Sequence, residues 1–212
     1  AVNPDIAVAG NDVHVLWEEI DDDGYVTYAY VRSRNGGDTW TRKLLPFPDN
    51  GCYGSGHNAI AASGRTVHVV WGDCGLAYTT SSDAGRTWNA PRFLTRSDSA
   101  FSPDLVADRR FVNVVWNDSV GSWEVFHRRS ADRGTTWSKR IRLSGTAGIQ
   151  SWTPVIALEG TSVVVAWYDE KNTSVRQKTG AAHGQSWGTA AIVTRDGGMY
   201  PSIAGSNGWA HV

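Results

Sequence analysis

Apolar and polar residues alternate with period two in short runs along the whole chain, and clusters of Gly, Asp, Asn and Ser cut the runs apart. Val13-His14-Val15-Leu16-Trp17 is one such run. Successive side chains of a strand point to opposite faces, so this alternation predicts strands with one buried side. No window sustains the i, i+3, i+4 apolar spacing of a helix, so helix content is expected to be near zero. The first unit is expected to hold four strands, at about 4–9, 12–19, 25–33 and 40–46, joined as an antiparallel meander and here lettered A to D from the innermost outward.

The pattern repeats. The segment Val13-His-Val-Leu-Trp17-Glu-Glu19 returns as Val67-His-Val-Val-Trp71-Gly-Asp73, Val112-Asn-Val-Val-Trp116-Asn-Asp118 and Val163-Val-Val-Ala-Trp167-Tyr-Asp169. Seven residues before each leading Val stands Ile6, Ile60, Leu105 or Ile156; Pro precedes three of these by two positions, and Asn58 takes that place in the second. After each comes a turn closed by Trp: Ser33-Arg-Asn35-Gly-Gly37-Asp-Thr-Trp40, Ser81-Ser-Asp83-Ala-Gly85-Arg-Thr-Trp88, Ser130-Ala-Asp132-Arg-Gly134-Thr-Thr-Trp137 and Gly180-Ala-Ala182-His-Gly184-Gln-Ser-Trp187. The closing Trp residues are 48, 49 and 50 positions apart. A fifth copy opens at Tyr200-Pro201-Ser202-Ile203. Repeated four-stranded sheets of this length pack radially, which protects their edges. The expected fold is all-β: a β-propeller of four-stranded antiparallel blades at about 1–47, 57–94, 102–143 and 153–193, with a partial fifth at 200–212. The whole is read as a single domain or a piece of one.

The turn has a local logic. Its Asp or Asn accepts backbone N–H groups further along, Gly supplies a positive φ, and the Ser and Thr hydroxyls tie the flanks. The Trp is expected to pack between neighbouring sheets. The fourth copy, with Gly180 and Ala182, lacks both side-chain acceptors and is expected to be the loosest. Of the 11 Trp in 212 residues, eight thus have structural positions, leaving Trp123, Trp152 and Trp209 as possible ligand platforms. With 20 basic against 21 acidic residues the formal net charge is −1, which lacks the positive field a nucleic-acid binder needs. No run of 18 apolar residues predicts a membrane span, and the chain reads as soluble and mature.

At these turns the chain resembles the Asp-box (bacterial neuraminidase) repeats of the sialidase superfamily, over essentially its whole length. The resemblance implies the propeller fold and, among its members' activities, sialidases, other glycoside hydrolases, lectins and binding scaffolds. In sialidases the site resembles a pocket on the face where innermost strands begin, with three arginines gripping a carboxylate, a Tyr nucleophile paired with a Glu, and an Asp acid/base. The first of those arginines stands in an Arg-Ile-Pro triplet. The matching positions here are Asn3, His57, Ser102, Thr153 and Tyr200, and the sequence contains no Arg-Ile-Pro.

The partial candidates on that face are His57, Tyr53 and Tyr200, together with Arg96 and Arg195 after strand D. The acids Glu19, Asp73, Asp118 and Asp169 end each strand B. Because these acids recur, the plainer reading gives them a structural role, such as accepting loop N–H groups. The ligand-binding candidates are therefore His57, Arg96, Asp118, Trp152, Asp169, Arg195 and Tyr200, with catalytic residues unassigned. Asp21-Asp22-Asp23 could chelate calcium or form a solvated turn, and no other cofactor is expected. His14, His68 and His211 share one strand position and read as packing residues.

Cys52 and Cys74 fall on the same face of the second unit and are read as a disulfide, with two free thiols as the alternative. A disulfide would place the protein outside the cytoplasm: secreted, periplasmic or at the cell surface. The incomplete fifth copy leads to the expectation of a larger propeller of six or seven blades, with a five-blade ring as the alternative. Exposed strand edges would then invite pairing with another chain. The expected function is an exported propeller that recognises glycans without a complete sialidase catalytic set. The alternatives are an exo-acting sialidase-type hydrolase completed by residues beyond Val212, and a protein-binding scaffold.

Overall fold

The computed structural model describes residues 1–24, 26–45, 57–72, 74–145, 149–195, 198–206 and 209–212. Cys52, Tyr53 and Asp73 lie outside the described residues. The first sheet is a meander of β1 (Val2–Ala9), β2 (Asp12–Ile20), β3 (Val26–Ser33) and β4 (Thr41–Leu44). The second is built from β5 (Asn58–Ser63), β6 (Thr66–Gly72), β7 (Leu76–Ser81) and β8 (Arg92–Thr95). The third runs through β9 (Phe101–Asp108), β10 (Phe111–Ser119), β11 (Trp123–Ser130) and β12 (Ile141–Arg142). The fourth comprises β13 (Ser151–Glu159), β14 (Ser162–Asp169) and β15 (Ser174–Ala181), with its outer strand in two pieces, β16 (Ser186–Trp187) and β17 (Ala191–Thr194), both paired with β15. A two-stranded fifth follows, β18 (Ala204–Ser206) with β19 (Trp209–His211). The fifth sheet thus begins after Ile203, later than the Pro-containing run suggested. The one helical turn among the described residues is a 3-10 turn at Glu170–Asn172.

The chain forms two compact units, residues 1–103 with 107–109, and residues 104–106 with 110–212. In the first unit the even-numbered side of sheet one packs on the odd-numbered side of sheet two: Leu16, Tyr28 and Tyr30 meet Val67, Val69 and Trp71. In the second unit Val115, Val125 and Leu143 of sheet three meet Val163, Val165 and Trp167 of sheet four. Trp71 and Trp167 are almost wholly buried, each taking roughly 150–250 Å² of ring surface from water. This explains why Trp recurs at that position: it is the largest plug available for the gap between two stacked sheets.

Polar cross-links repeat along with the apolar ones. His14 Nδ1 and Tyr30 Oη are 2.6 Å apart, and His68 Nδ1 and Tyr78 Oη 2.7 Å. In the third sheet His127 and Asn113 form the corresponding couple at 2.9 Å. Burial pushes the His68 imidazole down to about 4 and that of His127, which also faces the Arg129 charge, down to about 3. The innermost strands are joined by a carboxylate: Asp5 Oδ2 accepts the Ile60 N–H, and Asp104 Oδ2 accepts the Ile156 N–H, both at 2.8 Å. Burial raises the Asp5 carboxyl above its ordinary range, against the pull of two backbone donors.

The turns between strands C and D match their expected chemistry in three copies. Ser81 Oγ accepts the Gly85 N–H at 2.9 Å, and Asp83 Oδ1 accepts the Thr87 N–H at 2.9 Å while Oδ2 accepts the Thr87 hydroxyl at 2.7 Å. Ser130, Asp132 and Thr136 repeat this, and Ser33, Asn35 and Thr39 do so with the amide oxygen. The Thr136 hydroxyl and N–H bonds hold the Asp132 carboxyl down at about 2, and the corresponding bonds to Thr87 lower Asp83 further. In the fourth copy Gln185 N–H bonds to the Ala181 carbonyl at 3.0 Å, backbone replacing the missing carboxylate. Each turn is also tied to the A–B hairpin of its own sheet, through the N–H of Gly36, Ala84, Arg133 or His183.

The closing Trp does not behave alike in all copies. Trp88 meets Tyr30 edge-on at 5.1 Å and Trp187 meets His127 edge-on at 4.9 Å. Trp40 is 47% exposed, which corrects the expectation that each ring is sandwiched between sheets. The cause is general to that side of sheet one. Ile6 is 59% exposed where Ile60, Leu105 and Ile156 are at most 5% exposed, because among the described residues of its unit no sheet covers it.

Candidate functional site

Strand registers bring a distinct set of side chains to the end of each sheet where innermost strands begin. A backbone feature recurs there. Asn3, His57, Ser102 and Thr153 all have left-handed φ, between 47° and 60°. At Asn3 and Thr153 the ladder with strand B shifts register, between Val2 and Asp5 and between Trp152 and Val155. These are the positions where the family resemblance would put its first arginine, and here Asn3 and Thr153 act as structural ties. Asn3 Nδ2 donates to Glu18 Oε2 at 3.0 Å, and the Thr153 N–H and hydroxyl bind Asn117 Oδ1 and the Met199 carbonyl at 2.9 and 2.6 Å.

The three described acids that end strand B, Glu19, Asp118 and Asp169, are paired with arginines of their own sheet. Glu19 receives Arg42 at 2.6 Å, Asp118 receives Arg140 at 2.8 Å, and Asp169 lies 2.7 Å from Arg176 Nε. Asp118 and Asp169 are also buried. Each is thus tied by an ion pair to its own sheet. Both of these candidate carboxylates are thus buried and ion-paired within the protein.

Glu18 and Glu124 are carboxylates that the repeat pattern did not single out. Glu18 is 2% exposed and accepts amide N–H bonds from Asn3 and Asn58. Glu124 is equally buried, bonded to Ser122 at 2.9 Å, to Ser144 by a short hydrogen bond and to Arg142 at 3.5 Å. The available signal was that Glu18 interrupts the repeat: the residue after the strand-B Trp is Gly72, Asn117 or Tyr168 in the other copies.

In the second unit, Trp123 opens β11 and Trp152 is the second residue of β13. Their rings lie 5.0 Å apart, inclined by 35°, and both are half-exposed. The pair is positioned from behind: Gln150 Oε1 accepts the Trp123 N–H at 3.0 Å, the Gln150 carbonyl accepts the Glu170 N–H at 2.9 Å, and Glu170 Oε2 accepts the Trp152 indole N–H at 3.4 Å. The Thr153–Met199 bond places Tyr200, 79% exposed, one residue beyond a chain segment tied beside Trp152. Arg195 is exposed in the same unit, and its carbonyl accepts the Thr173 hydroxyl at 3.4 Å.

The remaining candidates stand apart in the first unit. His57 is exposed, its carbonyl accepting the Gly72 N–H at 3.2 Å, and Arg96 is exposed with its guanidinium 4.7 Å from the Phe93 ring centroid. Asp21 makes a local turn, Oδ1 accepting the Asp23 N–H at 3.0 Å. Among the described residues no group of three or more His, Cys, Asp or Glu is placed to hold a metal ion. There is no free cysteine among the described residues, and the partner expected for Cys74, Cys52, lies outside them.

No protein-family model matches the sequence, and no curated protein matches it. Solved structures do match in three dimensions. A Dyadobacter fermentans protein of unknown function is similar over 95% of this chain and 70% of its own, with TM-score 0.66 and 12% identity. Trypanosoma rangeli sialidase in complex with the inhibitor DANA is similar over 90% of this chain and 37% of its own, with TM-score 0.63 and 12% identity. NanB sialidase from Streptococcus pneumoniae is similar over 93% of this chain and 53% of its own, with TM-score 0.62 and 11% identity. The chain therefore spans between about a third and about a half of these two sialidases. The fold is all-β, of the sialidase β-propeller kind. No helix among the described residues is long and apolar enough to cross a membrane.

Proposed function

We propose that this propeller binds carbohydrate through the Trp123–Trp152 pair, with Tyr200 and Arg195 flanking it. The observation that carries this reading is the pair itself: two half-exposed indoles 5.0 Å apart, braced by Gln150 and Glu170. Sugar rings present C–H faces that pack on aromatic rings, and hydroxyls that hydrogen-bond to polar rims. The similarity to sialidases, some solved with sugar-derived ligands, is consistent with such a ligand. The proposal includes the assignment of the Ser-x-Asp turns as Asp boxes and of the two units as parts of one propeller domain.

Binding is favoured over sialic-acid hydrolysis for a specific reason. The first-arginine positions hold Asn3, His57, Ser102, Thr153 and Tyr200, and Asn3 and Thr153 bond within the protein. A glycan array probed with the protein and with its Trp152→Ala variant tests this reading. Binding to a defined set of glycans that the variant loses supports it, and an array blank for both removes it. A fluorogenic sialoside left intact by the protein is the companion expectation; turnover would restore the hydrolase.

The proposal places the protein outside the cytoplasm, with Cys52 bridged to Cys74. A thiol assay on the denatured, unreduced protein is expected to count none, and two reactive groups would remove both statements. Pairing with a second chain through exposed strand edges is the remaining part of the proposal, and sedimentation at rising concentration checks it.

A further inference from the structure

We propose a second site, for an oxyanion, at the turn end of the third sheet, formed on Phe111 by Arg110, Arg129 and His183. Its ligand is an anionic polysaccharide, held by sulfate or carboxylate groups. The site lies at the opposite end of β11 from Trp123 and does not depend on the glycan reading of the Trp pair.

The geometry is that of two guanidinium groups gathered on one aromatic ring. The Arg110 and Arg129 guanidinium carbons lie 5.2 and 5.1 Å from the Phe111 ring centroid, so the two cations are within about 10 Å of each other. His183 stacks on the same ring at 3.8 Å and 12°. Among the described residues neither Arg110 nor Arg129 is ion-paired. Most acids of this sheet are committed elsewhere: Asp104 to the Leu105 and Ile156 N–H groups, Asp118 to Arg140, Glu124 to Arg142 and the serines, and Asp132 to its own turn, which leaves Asp108 as the acid nearest in sequence to Arg110. Residues 101–142 carry eight Lys and Arg against five acids, in a chain of net charge −1, so this sheet has a local positive excess.

A second observation points to an absent acceptor. Arg129 Nε, a donor, and His183 Nδ1, a donor or an acceptor according to its tautomer, are both shielded from solvent and have no hydrogen-bond partner among the described residues. A buried polar group left unpaired carries a desolvation cost that a bound acceptor would relieve. The frame is fixed beforehand. His183 is held with φ 56° by its N–H bond to the Thr161 carbonyl at 2.7 Å, and Arg133 N–H binds the Arg110 carbonyl at 2.8 Å. Guanidinium forks match the paired oxygens of sulfate and carboxylate. Two fixed cations suit an oxyanion repeated along a sugar chain. They do not suit nucleic acid, which is held through a longer row of phosphate contacts, and His183 already occupies a face of the one aromatic ring.

The test is titration at low salt with a heparin tetrasaccharide, a polygalacturonate fragment, neutral dextran and a DNA duplex, for the wild type, Arg110→Gln, Arg129→Gln and Arg34→Gln. Heparin or polygalacturonate is expected to bind in a salt-dependent manner and dextran not at all, and whichever of the two binds more tightly separates the sulfate source from the carboxylate one. Arg110→Gln and Arg129→Gln are each expected to weaken binding about tenfold, while Arg34→Gln, at an exposed turn of the first sheet, leaves it unchanged. Thermal unfolding of the exposed-site variant Arg110→Gln, expected to match wild type, separates loss of binding from loss of fold. No binding to either polysaccharide, wild-type binding by Arg110→Gln and Arg129→Gln, or binding of the duplex alone would overturn the proposal.

Discussion

Gly85 of the second sheet abuts the Tyr30 hydroxyl of the first so closely that a Cβ at Gly85 would overlap the Tyr30 oxygen. The glycine of the turn is thus the contact point between one sheet and the hydrogen-bonded His14–Tyr30 couple of its neighbour, in addition to being a residue of positive φ. Gly184 repeats the relationship in the second unit, where a Cβ would lie 2.6 Å from Asn113 Oδ1 and 3.3 Å from the His127 ring.

Gly85→Ala is therefore expected to destabilise beyond the conformational cost of φ 77°. Strain and overpacking together are expected to cost about 2–4 kcal/mol. Gly64→Ala, at φ 59° with open space around it, isolates the conformational part and is expected to cost about 1 kcal/mol. Urea unfolding of the two variants checks the difference, and equal losses would contradict the packing role.

The buried histidines give a pH dependence of definite sign. His68 is held neutral in the fold, at about 4 against an ordinary 6.5. Below pH 6.5 the unfolded chain therefore binds a proton that the folded one refuses, and stability falls as pH drops from 6.5 toward 4, then levels. The loss from His68 is of order 3 kcal/mol. Unfolding free energies measured from pH 7 to 4 are expected to decline, less steeply in His68→Gln.

The turn aspartates act lower on the scale. The Asp132 carboxyl is depressed to about 2 from 3.8, so its stabilising effect is complete above pH 4 and is lost as pH falls through 2. Asp132→Asn is expected to fold, because Asn35 already performs this role in the first turn with Thr39 N–H at 3.0 Å. It is also expected to flatten the acid limb of the stability curve. An unchanged limb would show that the carboxylate charge contributes nothing there.

The strand pattern was legible because Val13, Val15 and Trp17, and their copies, repeat a side-chain period that only sheet stacking satisfies. The left-handed residues Asn3, His57, Ser102 and Thr153 were not, since four different residue types occupy one backbone conformation. The acids Glu19, Asp118 and Asp169 could be recognised as structural from their recurrence. Their arginine partners could not, because Arg42, Arg140 and Arg176 occupy non-equivalent positions that depend on strand register. The exposure of Trp40 also escaped sequence reasoning: a repeat predicts equivalent positions, while burial depends on whether a neighbouring sheet is present. Within the candidate site, Trp123 and Trp152 stood out as indoles outside the repeat, but their 5.0 Å pairing depends on Gln150 and Glu170 in loops without periodicity.

Calorimetric titration of an array-identified glycan into the wild type and Trp152→Ala tests carbohydrate recognition most directly. The wild type is expected to give saturable binding and the variant at least about a tenfold loss, with the unfolding midpoint unchanged. Equal affinity in the two proteins would contradict the account.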